Sequence, residues 1–213
     1  MLSGSIMTDI PTPRLAPLSP DEWNAEAMDA LGVFPSSRDF VLKQWHENTG
    51  DGRGSHMLGL LAHYPELAKA YLTLNKHIAV DSTLNFRERE LIILRTSWLK
   101  KSEYEYVQHL ILGARAGISE DDIGRIQIGS KAAGFEPKDA MLIQVVDDLH
   151  KDSKISPATW EELNKFYNHH QVMDMIFLMG AYTALGLAIN SFDIPLETGC
   201  HPIDHETRAR MMK

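Results

Sequence analysis

Cysteine is nearly absent from this chain: Cys200 is the only one in 213 residues. A single thiol excludes an intrachain disulfide framework and any Cys-x-x-Cys chemistry. It fits a reducing, cytoplasmic setting. Basic runs are also missing, for nothing longer than Lys100–Lys101 occurs and the net charge is −8. Neither a phosphate backbone nor an anionic membrane finds its cations here, so no nucleic acid and no membrane is expected as partner. The glycines of Asn48–Gly54 lack the GxGxxG and Walker spacings and make a poor phosphate cradle. HExxH is absent, and no cofactor or metal is implied. His201 and His205 have Pro202 between them, and His169–His170 would diverge on a helix, so all four read as surface histidines. The start, Met1–Met7, has neither a cationic nor an apolar region and does not read as a secretory signal. The longest mostly apolar run, Met175–Ile189, falls short of the roughly 20 residues of a spanning helix and is interrupted by Gly180 and Gly186. It reads as a buried helix.

Strand signals are negligible, and what is present is helical. The chain is long enough for one domain with a sizeable core, and 44% hydrophobic residues can fill it. Residues 1–18, with Pro11, Pro13 and Pro17, read as a flexible arm, and 19–213 as a single helical domain. Ser19-Pro20-Asp21-Glu22 predicts a helix start, by N-cap, first-turn proline and capping box, running to about Leu31. Further helices are expected at about 40–46, 55–63, 66–80, 86–100, 103–116, 119–131, 138–150, from Ser156-Pro157 onward, and 170–191.

The stretch from Arg87 to Gly117 organises the rest. Its first helix carries Phe86, Leu91, Ile92, Ile93, Leu94 and Trp98 almost all round, the pattern of a helix surrounded by protein. Glu90 falls on the side of Phe86, Ile93, Leu94 and Ser97, where a carboxylate loses hydration unless something donates to it. On the second helix Glu105, His109, Leu112 and Ala116 form one stripe, so Glu105 and His109 lie one turn apart. Ser102 lies on the same side if the helix extends back to it.

These residues resemble the core of the carboxymuconolactone decarboxylase family, which includes the AhpD-like alkylhydroperoxidases. In the peroxidase branch a glutamate is followed, twelve residues on, by Cys-x-x-Cys-x-x-x-His. Glu90 and His109 match that pattern, with Ser102 and Glu105 where the thiols would be. The decarboxylase branch resembles Glu-x-x-x-His, which Glu105 and His109 satisfy. The resemblance spans about residues 61–150. It implies an all-α, AhpD-like multi-helix bundle and a homo-oligomer (dimer, trimer or hexamer). It also implies a cofactor-free lyase or isomerase of aromatic catabolism, acting on a small carboxylated lactone or related acid. His109 would donate the proton, Glu90 and Glu105 would orient it, and Ser102, Tyr104, Tyr106 and Trp98 would line the pocket. Two other readings stand beside this one: a thiol peroxidase, disfavoured because the thiols are missing, and a binding protein that has kept the fold and lost the chemistry.

Each residue has a plainer role too. Glu90 can pair with Arg87 or Arg95 as a helix salt bridge. His109 alone reads as a core histidine; a carboxylate beside it would stabilise its protonated form. Glu105 can face water. Ser102 can be a helix cap, and Tyr104, Tyr106 and Trp98 can be packing. Cys200 reads as a spectator thiol.

Overall fold

A computed structural model describes residues 12–213. The described residues form eleven α-helices and no strand. They are α1 (Ala25–Leu31), α2 (Pro35–Glu47), α3 (Ser55–Leu61), α4 (Pro65–Lys76), α5 (Phe86–Leu99), α6 (Glu103–Arg115), α7 (Glu120–Ile128), α8 (Pro137–Asp152), α9 (Pro157–Leu163), α10 (His169–Ser191) and α11 (His205–Met211). The all-α expectation holds. Of the N-terminal arm, residues 1–11 lie outside the described residues. Residues beyond them are fastened: Arg14 donates its amide to Phe192 O at 2.8 Å, and Leu18 donates to Gly59 O at 3.2 Å.

Local chemistry sets the helix starts. Asn85 caps α5 and Asn168 caps α10, each accepting from the third helical amide while that residue's side chain reaches back to the cap amide. The expected long first helix is broken. Pro20–Glu22 forms only a 3₁₀ turn, Trp23 is extended, and Asn24 caps α1 afresh. The turn yields because Trp23 is drawn inward, its indole donating to Leu18 O at 3.1 Å. After α4 the chain makes a π turn, His77–Asp81, before reaching α5.

α5 is the hub, packing against α6, α7, α8 and α10. Leu91, Ile92, Ile93 and Leu94 are all buried, as their spread round the helix predicts. They join Leu142, Ile143, Val145 and Val146 of α8 and Met175 and Leu178 of α10 in the main core. Each such side chain contributes about 1.5–3 kcal/mol by burial. A second cluster gathers α1 to α4 around Leu31, Leu58 and Leu72. α10 is the one helix among the described residues long and apolar enough to cross a membrane, but more than half of it is buried inside the protein.

The break between α5 and α6 aims their side chains at each other. Lys101 takes a left-handed conformation at φ 56°, and Ser102 donates its amide back to Ser97 O at 2.9 Å. The chain reverses within three residues, so the Glu90 face of α5 meets the His109 face of α6.

Candidate functional site

Glu90 and His109 bond directly. The imidazole Nδ1 lies 2.8 Å from Glu90 Oε2, and the two residues are only 8% and 3% exposed. The helix salt bridges open to Glu90 in sequence are not formed. Arg87 ties Asp122 and Asp139 at 3.0 and 2.7 Å, and Arg95 ties Asp147 at 2.6 Å. Both arginines are spent on α7 and α8, leaving Glu90 to the histidine. Its pairing fixes the ring's orientation and leaves Nε2 as the nitrogen for other work. Nε2 and the Tyr182 hydroxyl make no hydrogen bond with another of the described residues, and neither is among the fully enclosed polar atoms. They mark the open side of the site.

Tyr182 was not legible as a site residue. It reaches the site from α10, its ring edge-on to the imidazole at 5.0 Å. Burial, with the charges of Glu90, Tyr71 and Glu105 nearby, holds its phenol well above the usual value, so it stays a neutral donor. Tyr71 of α4 stands behind it, donating to Ala181 O and accepting from Asn75.

Glu105 does not face water. It is 3% exposed, and neither of its oxygens has a hydrogen-bond partner among the described residues. Burial pushes its carboxyl up to about 8; the Ser102 hydroxyl beside it pulls the other way without reaching hydrogen-bond geometry. Ser102 occupies the N-cap position of α6 yet makes no side-chain cap bond. Its Oγ is enclosed and unpartnered as well. Both residues lie against α10 at Gly186. A Cβ there would collide with Glu105 Oε2 and sit 3.3 Å from Ser102 Oγ, so glycine is what lets the carboxyl lie against the helix.

The aromatic residues expected to line this pocket serve elsewhere. Tyr104 and Tyr106 flank Glu105 in sequence, and a helix turns each by about 100° away from it. Tyr106 is fully buried, accepts from Gln127 at 3.0 Å and packs against Trp98 with ring centroids 5.4 Å apart. The Tyr104 hydroxyl donates to Glu197. Gln108, one turn on, donates to the other Glu197 oxygen at 2.8 Å, and the His56 amide adds a third bond at 3.1 Å. This further buried carboxylate pins the loop after α10 to α6. Cys200 belongs to it, buried, with burial and Glu197 pushing its thiol up to about 11. Two surface depressions lie away from the Glu90–His109 pair. One lies between α1 and the start of α4, and the other between the 41–56 segment and Glu197–Gly199.

Residues 65–148 match the Carboxymuconolactone decarboxylase family. No curated protein matches the chain. Among solved structures, an uncharacterized peroxidase-related protein from Silicibacter sp. TM1040 aligns at 16% identity and TM-score 0.67, over 96% of this chain and 99% of that one. An alkylhydroperoxidase AhpD core protein from Ralstonia eutropha JMP134 aligns at 16% identity and TM-score 0.62, over 86% and 93%. A cysteine-to-alanine variant of the debrominase Bmp8, in complex with 2,3,4-tribromopyrrole, aligns at 11% identity and TM-score 0.64, over 98% of both chains. At these identities the likeness shows the fold, which is AhpD-like.

Proposed function

Starting from a chain whose residues 65–148 match the carboxymuconolactone decarboxylase family, we propose that it is a cofactor-free lyase or isomerase. It moves a proton on a small lactone or related carboxylic acid. The observation that carries this reading is the buried 2.8 Å contact between His109 Nδ1 and Glu90 Oε2. A histidine held at one nitrogen and free at the other is a proton carrier in a fixed pose. In an isomerisation, Nε2 takes a proton from the carbon beside a carbonyl. The C–H electrons pass onto the carbonyl oxygen, and the proton returns at another carbon. In a decarboxylation, the C–C electrons left by departing carbon dioxide take the proton from Nε2. In both, Glu90 is a positioning residue that steadies the imidazolium.

The thiol reading has less support. The two positions that matter hold Ser102 and Glu105, and Cys200 lies across α6 with its thiolate disfavoured. The test is turnover of a panel of carboxylactones and β-keto acids. His109→Ala lowers turnover by about 10²–10⁴-fold with the fold intact. Glu90→Gln, which keeps shape and removes charge, lowers it less. Equal turnover by parent and His109→Ala on a confirmed substrate rules the relay out.

A further inference from the structure

The corner formed by Ser102, Glu105 and Gly186 has hydrogen-bonding capacity and no cation. No lysine or arginine among the described residues pairs with Glu90, Glu105 or His109. The charge of Arg89 reaches Tyr182, but its guanidinium donates to Leu84 O at 2.7 Å and lies over the Phe86 ring. A carboxylate entering here would lose its water, meet the Glu90 charge and find no counter-ion, a combination buried sites rarely tolerate. A neutral carboxylic acid at 105 offers one O–H donor, and Ser102 offers a second. Three enclosed oxygens without partners, on two side chains that touch the same glycine, are the groups a ligand would satisfy.

Resting on the reading of this site as the place of reaction, we infer that the group entering it is an uncharged carbonyl. Lactones, ketones and carboxamides belong to that class. Glu105 and Ser102 hold its oxygen as donors, and any carboxylate on the same substrate stays on the open side near Tyr182. Two neutral donors fixed on one oxygen also favour the charge that develops there when a neighbouring carbon loses its proton. A buried acid kept neutral suits this task better than a cation would, because it leaves the Glu90–His109 pair undisturbed.

Glu105 faces Ser102 at the start of its own helix, Tyr71 from α4 and Tyr182 from α10, while His109, one turn along, is held by Glu90 of α5. Both phenols are held above their usual range and stay neutral through mild alkali. His109 remains in every variant used below. A difference between parent and Glu105→Gln therefore isolates Glu105.

The test is binding without turnover, read from the His109 imidazole signals by NMR. The probes are 2-pyrrolidinone, a lactam stable to water, and cyclopentanecarboxylate, its charged counterpart in size. The lactam shifts the His109 signals and binds at least about tenfold tighter than the carboxylate at neutral pH. Its affinity falls about tenfold one pH unit above the Glu105 value and stays level in Glu105→Gln, which keeps a donor and cannot ionise. Ser102→Ala weakens the lactam with the pH profile unchanged, and it serves alone should Glu105→Gln fail to fold. The inference is overturned if the carboxylate binds as well as the lactam, or if the lactam leaves His109 unmoved. It also fails if parent and Glu105→Gln share one pH profile, or if Ser102→Ala binds the lactam as the parent does. Turnover plays no part in the readout. The relay can therefore fail in its own assay while the lactam still binds, and the reverse failure is as plainly seen.

Discussion

Glu105 sits where ionising loses more hydration than the protein restores. Its carboxyl is at about 8 in the folded chain against an ordinary 4.5, so the folded state holds a proton that the unfolded state releases. Stability should therefore fall as pH rises from about 4.5 to about 8 and level off beyond, by at most about 5 kcal/mol at about 1.4 kcal/mol per unit. Thermal melts at acid, neutral and alkaline pH check this: the parent loses more than Glu105→Gln, and the two converge in acid. Gly186 gives a second residue-scale expectation. Alanine in a helix interior normally stabilises by about 0.5–1 kcal/mol over glycine. Here Gly186→Ala should instead destabilise by about 1–3 kcal/mol by displacing the Glu105 carboxyl. The penalty should largely vanish in a Glu105→Ala background, as a double-mutant cycle in denaturant would read. The Glu105–His109 face was legible because helical period is local. Tyr182, Gly186 and Glu197 were not, since they meet α6 only through the docking of a helix some eighty residues away and the loop after it.

At the scale of elements, most helices were visible from caps and periodicity, with ends within four residues except that α1 starts five residues later and α2 five residues earlier than expected. α11 was missed because its seven residues carry little apolar pattern; Arg208 holds it to Glu103 through bonds of 2.6 and 2.7 Å. The π turn after α4 was equally invisible, for the residue that organises it lies far off on α10. Asp174 accepts from the Thr83 amide and hydroxyl at 2.7 Å, from Ser82 at 3.1 Å and from His77 at 3.1 Å. Burial pushes this carboxyl up, but these donors outweigh it and hold it below the usual range. Its share of stability is thus present above the ordinary carboxylate value and lost as pH falls through the lowered one. Asp174→Ala should destabilise by about 1–3 kcal/mol and speed hydrogen exchange at the Thr83 amide.

For the whole molecule, the unspent surface is on α10. Met173, Ile176, Phe177 and Leu187 are exposed along one side of a helix whose other sides fill the core and the site. A second copy of the chain is the expected cover, and Phe177→Asp with Leu187→Glu should shift sedimentation from oligomer to monomer. A parent already monomeric at micromolar concentration would contradict it. Peroxide consumption should be the same in Cys200→Ser and parent, because the thiol is buried and without a partner cysteine. α6 holds His109 against Glu90 on one side, Glu197 on a second through Tyr104 and Gln108, and the Trp98 core on a third through Tyr106. That arrangement has an evolutionary reading. Losing or gaining one codon between 102 and 109 would rotate everything beyond it by about 100° and scramble all three sides at once. Descendants of this chain can therefore change its chemistry by replacing letters in that segment, but its length is frozen.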